Sequence, residues 1–420
     1  MHERRIPEWL RHAPTPGVRG FAVLAGIEAV VRGILISVFP LEVYRVLGDA
    51  ALMSALYFGV GVLSLIVGLL VPALTARIPR RWVYTIGAAL FILSAFGAAT
   101  GQEELLVGAL VINTVATVIC FVCLNAYVLD YIAKADLGEC ETSRMFYSAL
   151  GWTLGPLSGV TLLTIWQPAP FIISGLAALT MLAVFWFLRL GNGKLIVRAR
   201  HSTPSPVTYL PRFFRQPRLV AGWLFAVIRS CGWWVYIVYL PIFAVEQGLG
   251  EQVGGLVLSF SNGCLFLAPV ILRWVRRRSL RRAVRGAFAA AALCFGAAGA
   301  LAGGLPALAV GCLVLGSIWL IVLDICAGLP FLMAVKPSER TEMSAVYASY
   351  RDVSGFVTPG VAWVVLLVAP VAAVFAAGAA AHALAFFIAA RLHPRLGQAR
   401  IRMEPPAPPL APSPETPLSP

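Results

Sequence analysis

With 420 residues, 59% of them hydrophobic and only 12% charged, the chain is too apolar for water to be its main solvent, since a soluble domain is nearer half apolar and a quarter charged. A mean hydropathy of +0.83 and many continuous apolar runs of about 18 residues or more point to transmembrane helices and exclude a barrel, which would alternate apolar and polar residues. The net charge of +14 falls in the loops between these runs, so it reads as a topology signal and as contact with anionic lipid, not as nucleic-acid binding.

The N-terminal segment, 1–19, is polar and basic, with Arg4, Arg5, Arg11 and Arg19, and lacks the apolar core of a signal peptide. Ile6, Trp9 and Leu10 in it have the spacing of a short interfacial helix. Six spans are predicted at 20–40, 51–74, 82–100, 104–129, 145–166 and 170–190. They form a first bundle over 20–190. A basic linker, 191–218, carries Lys194 and Arg198 and no acidic residue. Six further spans, at 219–245, 252–272, 283–303, 306–333, 343–367 and 370–391, form a second bundle over 219–391. The tail, 392–420, is proline-rich and is expected to be disordered or polyproline-like.

Basic residues crowd alternate loops. Arg77, Arg80 and Arg81 follow span 2, and Arg273, Arg276, Arg277, Arg278, Arg281, Arg282 and Arg285 surround the loop after span 8. On the other side only Arg45 is basic. The positive-inside rule then places both termini and the linker in the cytoplasm, which requires an even number of spans. Seven of the eight cysteines lie in apolar runs, and Cys140 is placed in a cytoplasmic loop, so no disulfide framework follows. Cys120 and Cys123 lack the second ligand pair of a zinc site. The arginine- and alanine-rich composition fits a GC-rich bacterial genome, hence an inner-membrane, multi-pass protein.

The chain also repeats. Pro40 and Pro241 are 201 positions apart; the R-x-x-R-R of Arg77, Arg80 and Arg81 recurs 201 positions on at Arg278, Arg281 and Arg282; Pro156 and Pro359 are 203 apart. These offsets imply two six-span halves in parallel orientation. The expected fold is all-α integral membrane: twelve transmembrane helices in two pseudo-symmetric six-helix bundles.

This layout resembles the major facilitator superfamily, over nearly the whole chain. The loop after span 2 reads Pro72-Ala73-Leu74-Thr75-Ala76-Arg77-Ile78-Pro79-Arg80-Arg81, against the family's G-x-L-x-D-R-x-G-R-R/K. The leucine and three basic positions match; the two glycines and the aspartate are replaced by Pro72, Pro79 and Ala76. The resemblance implies a cytoplasmic latch between the halves, built differently here, with Asp130 at the end of span 4 as the candidate partner of Arg77 or Arg80. In span 5, Gly151-Trp152-Thr153-Leu154-Gly155-Pro156-Leu157-Ser158-Gly159 is similar to the G-x-x-x-G-P-x-x-G element of family exporters. Its small residues allow close helix approach, and Pro156 bends the helix. A departure is that span 4 carries Asn113 and Asn125 but not the arginine of many proton-coupled exporters.

Ionisable groups inside spans cost about 2.5–3.5 kcal/mol each on insertion scales, so they mark function or a paired structural role. Glu28 and Arg32 share a face of span 1, and Arg229 in span 7 stands twelve residues before Pro241, as Glu28 stands twelve before Pro40. The resembled fold puts spans 1, 4, 7 and 10 around a central cavity, where Glu28 would meet Arg32 or Arg229. Glu28 is the proton-coupling candidate; a static charge pair and direct substrate contact are the other readings. Arg32 and Arg229 suit an anionic substrate group as bidentate donors. Asn113, Trp233, Tyr236 and Asp324 complete the cavity candidates, with Trp152, Trp234 and Tyr239 as further aromatic walls. Asp324 is expected to pair with Arg351, beside Asp352, in a structural or gating role. No nucleotide-binding, HExxH or G-x-S-x-G motif is present, and no enzyme, metal or cofactor is implied. The function expected is secondary active transport of a small organic solute by a monomer, as proton-coupled export. The alternatives are an uptake permease for a small solute, anions included, and a transporter-like receptor or scaffold without flux.

Overall fold

A computed structural model describes residues 17–132, 136–188, 209–276, 279–335 and 340–392. The linker residues 189–208, the tail 393–420 and Arg278 lie outside the described residues.

The apolar runs fold as helices. The first bundle holds α1 (Val18–Leu47), α2 (Ala50–Arg77), α3 (Arg80–Ala99), α4 (Glu103–Tyr131), α5 (Leu137–Ile165) and α6 (Ala169–Phe187). The second holds α7 (Pro217–Glu246), α8 (Gln252–Val275), α9 (Leu280–Leu301), α10 (Pro306–Ala334), α11 (Arg340–Ala348 and Tyr350–Leu366) and α12 (Ala372–Ala390). A short helix, Leu210–Phe214, leads into α7. Eleven of these helices are long and apolar enough to cross a membrane. The remaining span, α11, is broken at Ser349 into segments of 9 and 17 residues. The described helices thus agree with twelve spans in two bundles. Leucines such as Leu93, Leu154 and Leu293, with Phe187, Phe387 and Val368, stand exposed on the exterior, as lipid-facing positions should.

Turn chemistry sets the joints. Between α1 and α2, Gly48 takes a left-handed φ of 63°, and Asp49 caps α2 by accepting from Ala51 N at 2.6 Å. One boundary differs from expectation. The first turns of α5 begin at Leu137, so Cys140 is a buried helical residue and not part of a loop. Glu139, Glu141 and Arg144 made this stretch look like loop, yet polar residues suit a helix end that projects beyond the hydrocarbon.

The helices of the first half run unbroken, whereas four in the second do not. Val235–Tyr239 of α7 is a π-turn before Pro241. Cys264–Leu267 of α8 is a 3₁₀ turn. In α10 the helix stops at Cys326 and restarts at Leu329, and α11 breaks at Ser349. Pro241 cannot donate to the preceding turn, and widening that turn relieves its clash.

Packing is unequal at the two ends. Call the end carrying Arg77, Arg80 and Arg281 the basic face. Away from it, one hydrophobic core joins both halves, from Val38, Phe39, Met53 and Phe171 to Tyr239, Phe243 and Phe375, and within the second half alone it continues to Leu280, Val284 and Ala389 at the basic face. Nearer the basic face the first half has a core of its own around Tyr84, Tyr127 and Phe185. There a small separate core gathers Phe213, Phe331, Met343 and Val346 of the second half. The halves are therefore sealed together at one face and divided at the other.

Candidate functional site

The division between the halves exposes a set of charges at mid-depth. Glu28 and Arg32 lie ten and fourteen residues into α1 and Arg229 twelve into α7, roughly 15–21 Å from the basic end at about 1.5 Å per residue. Arg32 Nη1 lies 3.3 Å from Glu28 Oε1, one helical turn back. The glutamate side chain is only 9% exposed and the arginine 32%. Arg32, not Glu28, therefore presents to the cleft, with its guanidinium 5.3 Å from the ring centre of Trp152 on α5.

Arg229 does not meet Glu28. Its Nε is 3.1 Å from Asp324 Oδ1 of α10, an ion pair too bent to count as a hydrogen bond. Trp233 Nε1, one turn on, donates to Asp324 Oδ2 at 2.9 Å. The expected Asp324–Arg351 pair is thus replaced by Asp324–Arg229. Arg351 instead donates from Nε to the Tyr350 hydroxyl at 3.1 Å, with Phe121 of α4 under its guanidinium at 5.5 Å. Arg229 stacks on the same Tyr350 at 5.1 Å. Helical rotation explains the exchange: α10 packs along α7 and sets Asp324 against it, while Arg351 points across toward α4.

Other candidates divide. Tyr236 is 1% exposed and bonds Ser261 Oγ at 2.7 Å and Val257 O, so it is packed inside the second half and lines no cleft. Tyr239 is also buried, its hydroxyl 2.9 Å from Ser54 of α2. Trp234 lies against Gly355 and points away from Trp233. Asn113 has an amide nitrogen with no hydrogen-bond partner. Asn125 accepts from Arg144 Nη2 at 3.0 Å. Asp352 is half-buried on α11.

The span 5 glycines form the seam between α1 and α5. A Cβ on Gly151 would come 2.7 Å from Ala29 C, one on Gly155 2.5 Å from Gly33 C, and one on Gly159 2.1 Å from Ile34 O. Those distances admit only glycine. On the other side of the same helix, a Cβ on Gly255 of α8 would come 2.7 Å from Pro156 O. The kink at Pro156 also frees Leu157 N, which donates to Ser259 Oγ of α8 at 2.9 Å. The proline motif therefore joins a fixed intra-half seam to a contact between halves. Likewise, a Cβ on Gly61 of α2 would lie 2.5 Å from Gly355 O of α11.

Opposite the basic face, polar groups tie the halves together. Arg45 pairs with Glu42 and, across the halves, with Glu251. Tyr44 donates to Glu246 at 3.0 Å, and Gln167 Nε2 donates to Glu42 at 3.2 Å. Sequence reasoning missed this network. A partial signal was available, because Tyr44 and Glu246 stand 202 positions apart, within one of the offset of the repeat. Tyr350, shared by two arginines, was also missed and had no signal in its spacing.

At the basic face Arg80 pairs with Asp130 and stacks on Tyr127 at 5.2 Å. This bond joins α3 to α4 inside the first half and does not cross between halves. Arg77 is exposed at the end of α2, and Arg81 lies 6.0 Å over the Trp82 ring. Arg281, equivalent to Arg80 in the repeat, donates instead to Ala390 O at the end of α12 at 2.6 Å. Arg282 donates to Ser279 Oγ at 3.1 Å. The repeat has kept the arginines and changed their partners.

The chain matches the model of the Major Facilitator Superfamily over residues 21–359. Among solved structures, its fold is similar to that of the nucleoside transporter NupG. A mutant form gives a TM-score of 0.71 at 16% identity, covering 89% of this chain and 98% of that one. A second NupG structure gives 0.69 at 15% identity with the same coverage, 89% and 98%. No curated protein sequence matches.

Proposed function

Since the chain belongs to the Major Facilitator Superfamily, a family of transporters and not enzymes, we propose that it moves a small organic solute by alternating access, and that transport is proton-coupled export. The observation that carries this reading is the unequal sealing of the halves. One core spans both bundles at one face, while separate cores leave Arg32, Asp324 and Arg351 open toward the other. With the basic face taken as cytoplasmic by the positive-inside rule, this is an inward-open carrier whose outer gate is Arg45–Glu251 and Tyr44–Glu246. The glycine–proline element of α5 supports export, since it holds α1 against α5 while its kink reaches α8.

Glu28 is the proposed proton carrier. Its carboxylate is buried in α1, with Arg32 one turn on at 3.3 Å. In an export cycle of this kind the solute and the proton occupy the cleft in turn, so arrival of the solute beside Arg32 would displace the proton carried at Glu28. The test is solute counterflow and pH-gradient-driven flux in proteoliposomes. Gradient-driven accumulation that vanishes in Glu28→Gln, while counterflow persists, is the expected result. Accumulation unchanged in Glu28→Gln refutes the proton role, and accumulation in the direction of uptake refutes export.

A further inference from the structure

We infer that the cleft binds small organic anions carrying an aromatic or similarly flat body, with Arg351 as the seat of the negative charge. This deepens the transport reading and rests on it. Two of the three arginines at mid-depth are already answered: Arg32 by Glu28 and Arg229 by Asp324. Arg351 is exposed and has no ion-pair partner among the described residues. Among the described residues its one hydrogen bond is from Nε to the neutral Tyr350 hydroxyl, which leaves the two terminal nitrogens as a donor pair. A planar guanidinium with both ends free matches a carboxylate or a similar oxyanion.

Asp352 and Asp324 lie near enough to act on Arg351 through space, but neither forms an ion pair with it among the described residues. Successive residues of a helix are turned by about 100°, and Asp352 shares its face with Phe356 and Gly360, which meet Gly61 and Phe58 of α2. One turn on from Arg351, Ser354 bonds Ser230 of α7 at 2.7 Å and Gly355 meets Gly61 of α2, so Arg351 stands where α11 borders both α7 and the first half. The surroundings describe the rest of the ligand. Phe121 comes from the first half, Tyr350 from the second, and Trp152 supports the second cleft-facing arginine, Arg32. These rings are only partly buried and offer flat apolar surfaces for a body attached to the anionic group. An anion on Arg351 sits where α4 and α11 meet, so its binding reaches both moving halves.

The test uses the full chain in detergent and titrates matched carboxylate and amide pairs, among them benzoate with benzamide and indole-3-acetate with indole-3-acetamide. The carboxylate member is expected to bind at least about tenfold tighter, because hydrogen bonds to charged groups are the stronger class. Arg351→Gln should erase that ratio and Arg351→Lys should keep part of it, with melting midpoints reporting that both variants fold. Equal binding of acids and amides, or a ratio unchanged in Arg351→Gln, overturns the anion seat. Flux of neutral solutes alone in proteoliposomes also overturns it and leaves the transport reading standing. No binding and no flux for any solute removes both. Titrations in phosphatidylcholine nanodiscs, with and without phosphatidylglycerol, separate the two sources of an anion. If only the lipid occupies Arg351 and no soluble carboxylate does, the site belongs to headgroups and the inference falls.

Discussion

Arg45 of α1 and Glu251 at the start of α8 form an ion pair that crosses between the halves, on the face where one core already joins them. The pair is partly exposed, at 38% and 33% for the two side chains, so it contributes at most about 1 kcal/mol. Removing it in Arg45→Ala or Glu251→Gln should still move the balance between conformations by a few-fold, because that balance is set by small differences. Distance measurements between spin labels on the loops after α1 and after α7 should show a larger separated population. An unchanged distribution would assign the closure to the apolar core alone.

The α1–α5 seam predicts a sharp contrast among glycines. Gly159→Ala would press a methyl group to 2.1 Å from Ile34 O, and overpacking of this kind costs about 1–3 kcal/mol. Gly108→Ala on α4 meets nothing within 4 Å, so it should be neutral or add about 0.5–1 kcal/mol through helix propensity. The melting midpoint should fall in Gly159→Ala and stay level or rise in Gly108→Ala.

Asp324→Asn leaves Arg229 in a mostly buried position without its counter-ion. Breaking a fully buried pair costs about 3–5 kcal/mol. The aspartate side chain is 32% exposed, so about 1–3 kcal/mol is expected here. Adding Arg229→Met to Asp324→Asn should recover much of that stability without recovering transport. A double variant as unstable as the single one would show that Arg229 does not depend on this partner.

Ser259→Ala deletes the acceptor of Leu157 N at the α5 kink. The orphaned N–H should cost about 1–3 kcal/mol in the conformation described here. If the halves separate at this contact during the cycle, that cost falls on one state only. Transport should then change in rate more than in substrate affinity, which initial-rate kinetics at varied solute concentration would resolve.

Much of the architecture was legible in the sequence because lipid imposes so strict a rule. A span must be apolar and helical, and twelve runs with arginines in alternate loops left few alternatives. The glycine–proline element was legible too, since only glycine allows the approach seen at Gly155 and Gly159. The pairing of charges was not. Glu28, Arg229, Asp324 and Arg351 were visible as buried charges, but the choice of partner depends on the rotation of each helix about its axis. A 3.6-residue period does not fix that rotation when a helix is apolar all round. The breaks in α10 and α11 were equally silent: Gly328 and Ser349 are ordinary residues in membrane helices.

Those breaks make the two repeats mechanically unlike. In the first half α4 and α5 run as continuous rods. In the second, the ends of α10 and α11 at the basic face are short segments with a core of their own, stacked through Phe331 and Tyr347 and tied to the end of the linker by Phe213. The halves share one plan in sequence, but the described residues differ in the continuity of their helices. One is a lever, and the other a lever with a wrist. Tension arriving through the linker would be felt first at that wrist, ahead of any rotation of the whole bundle.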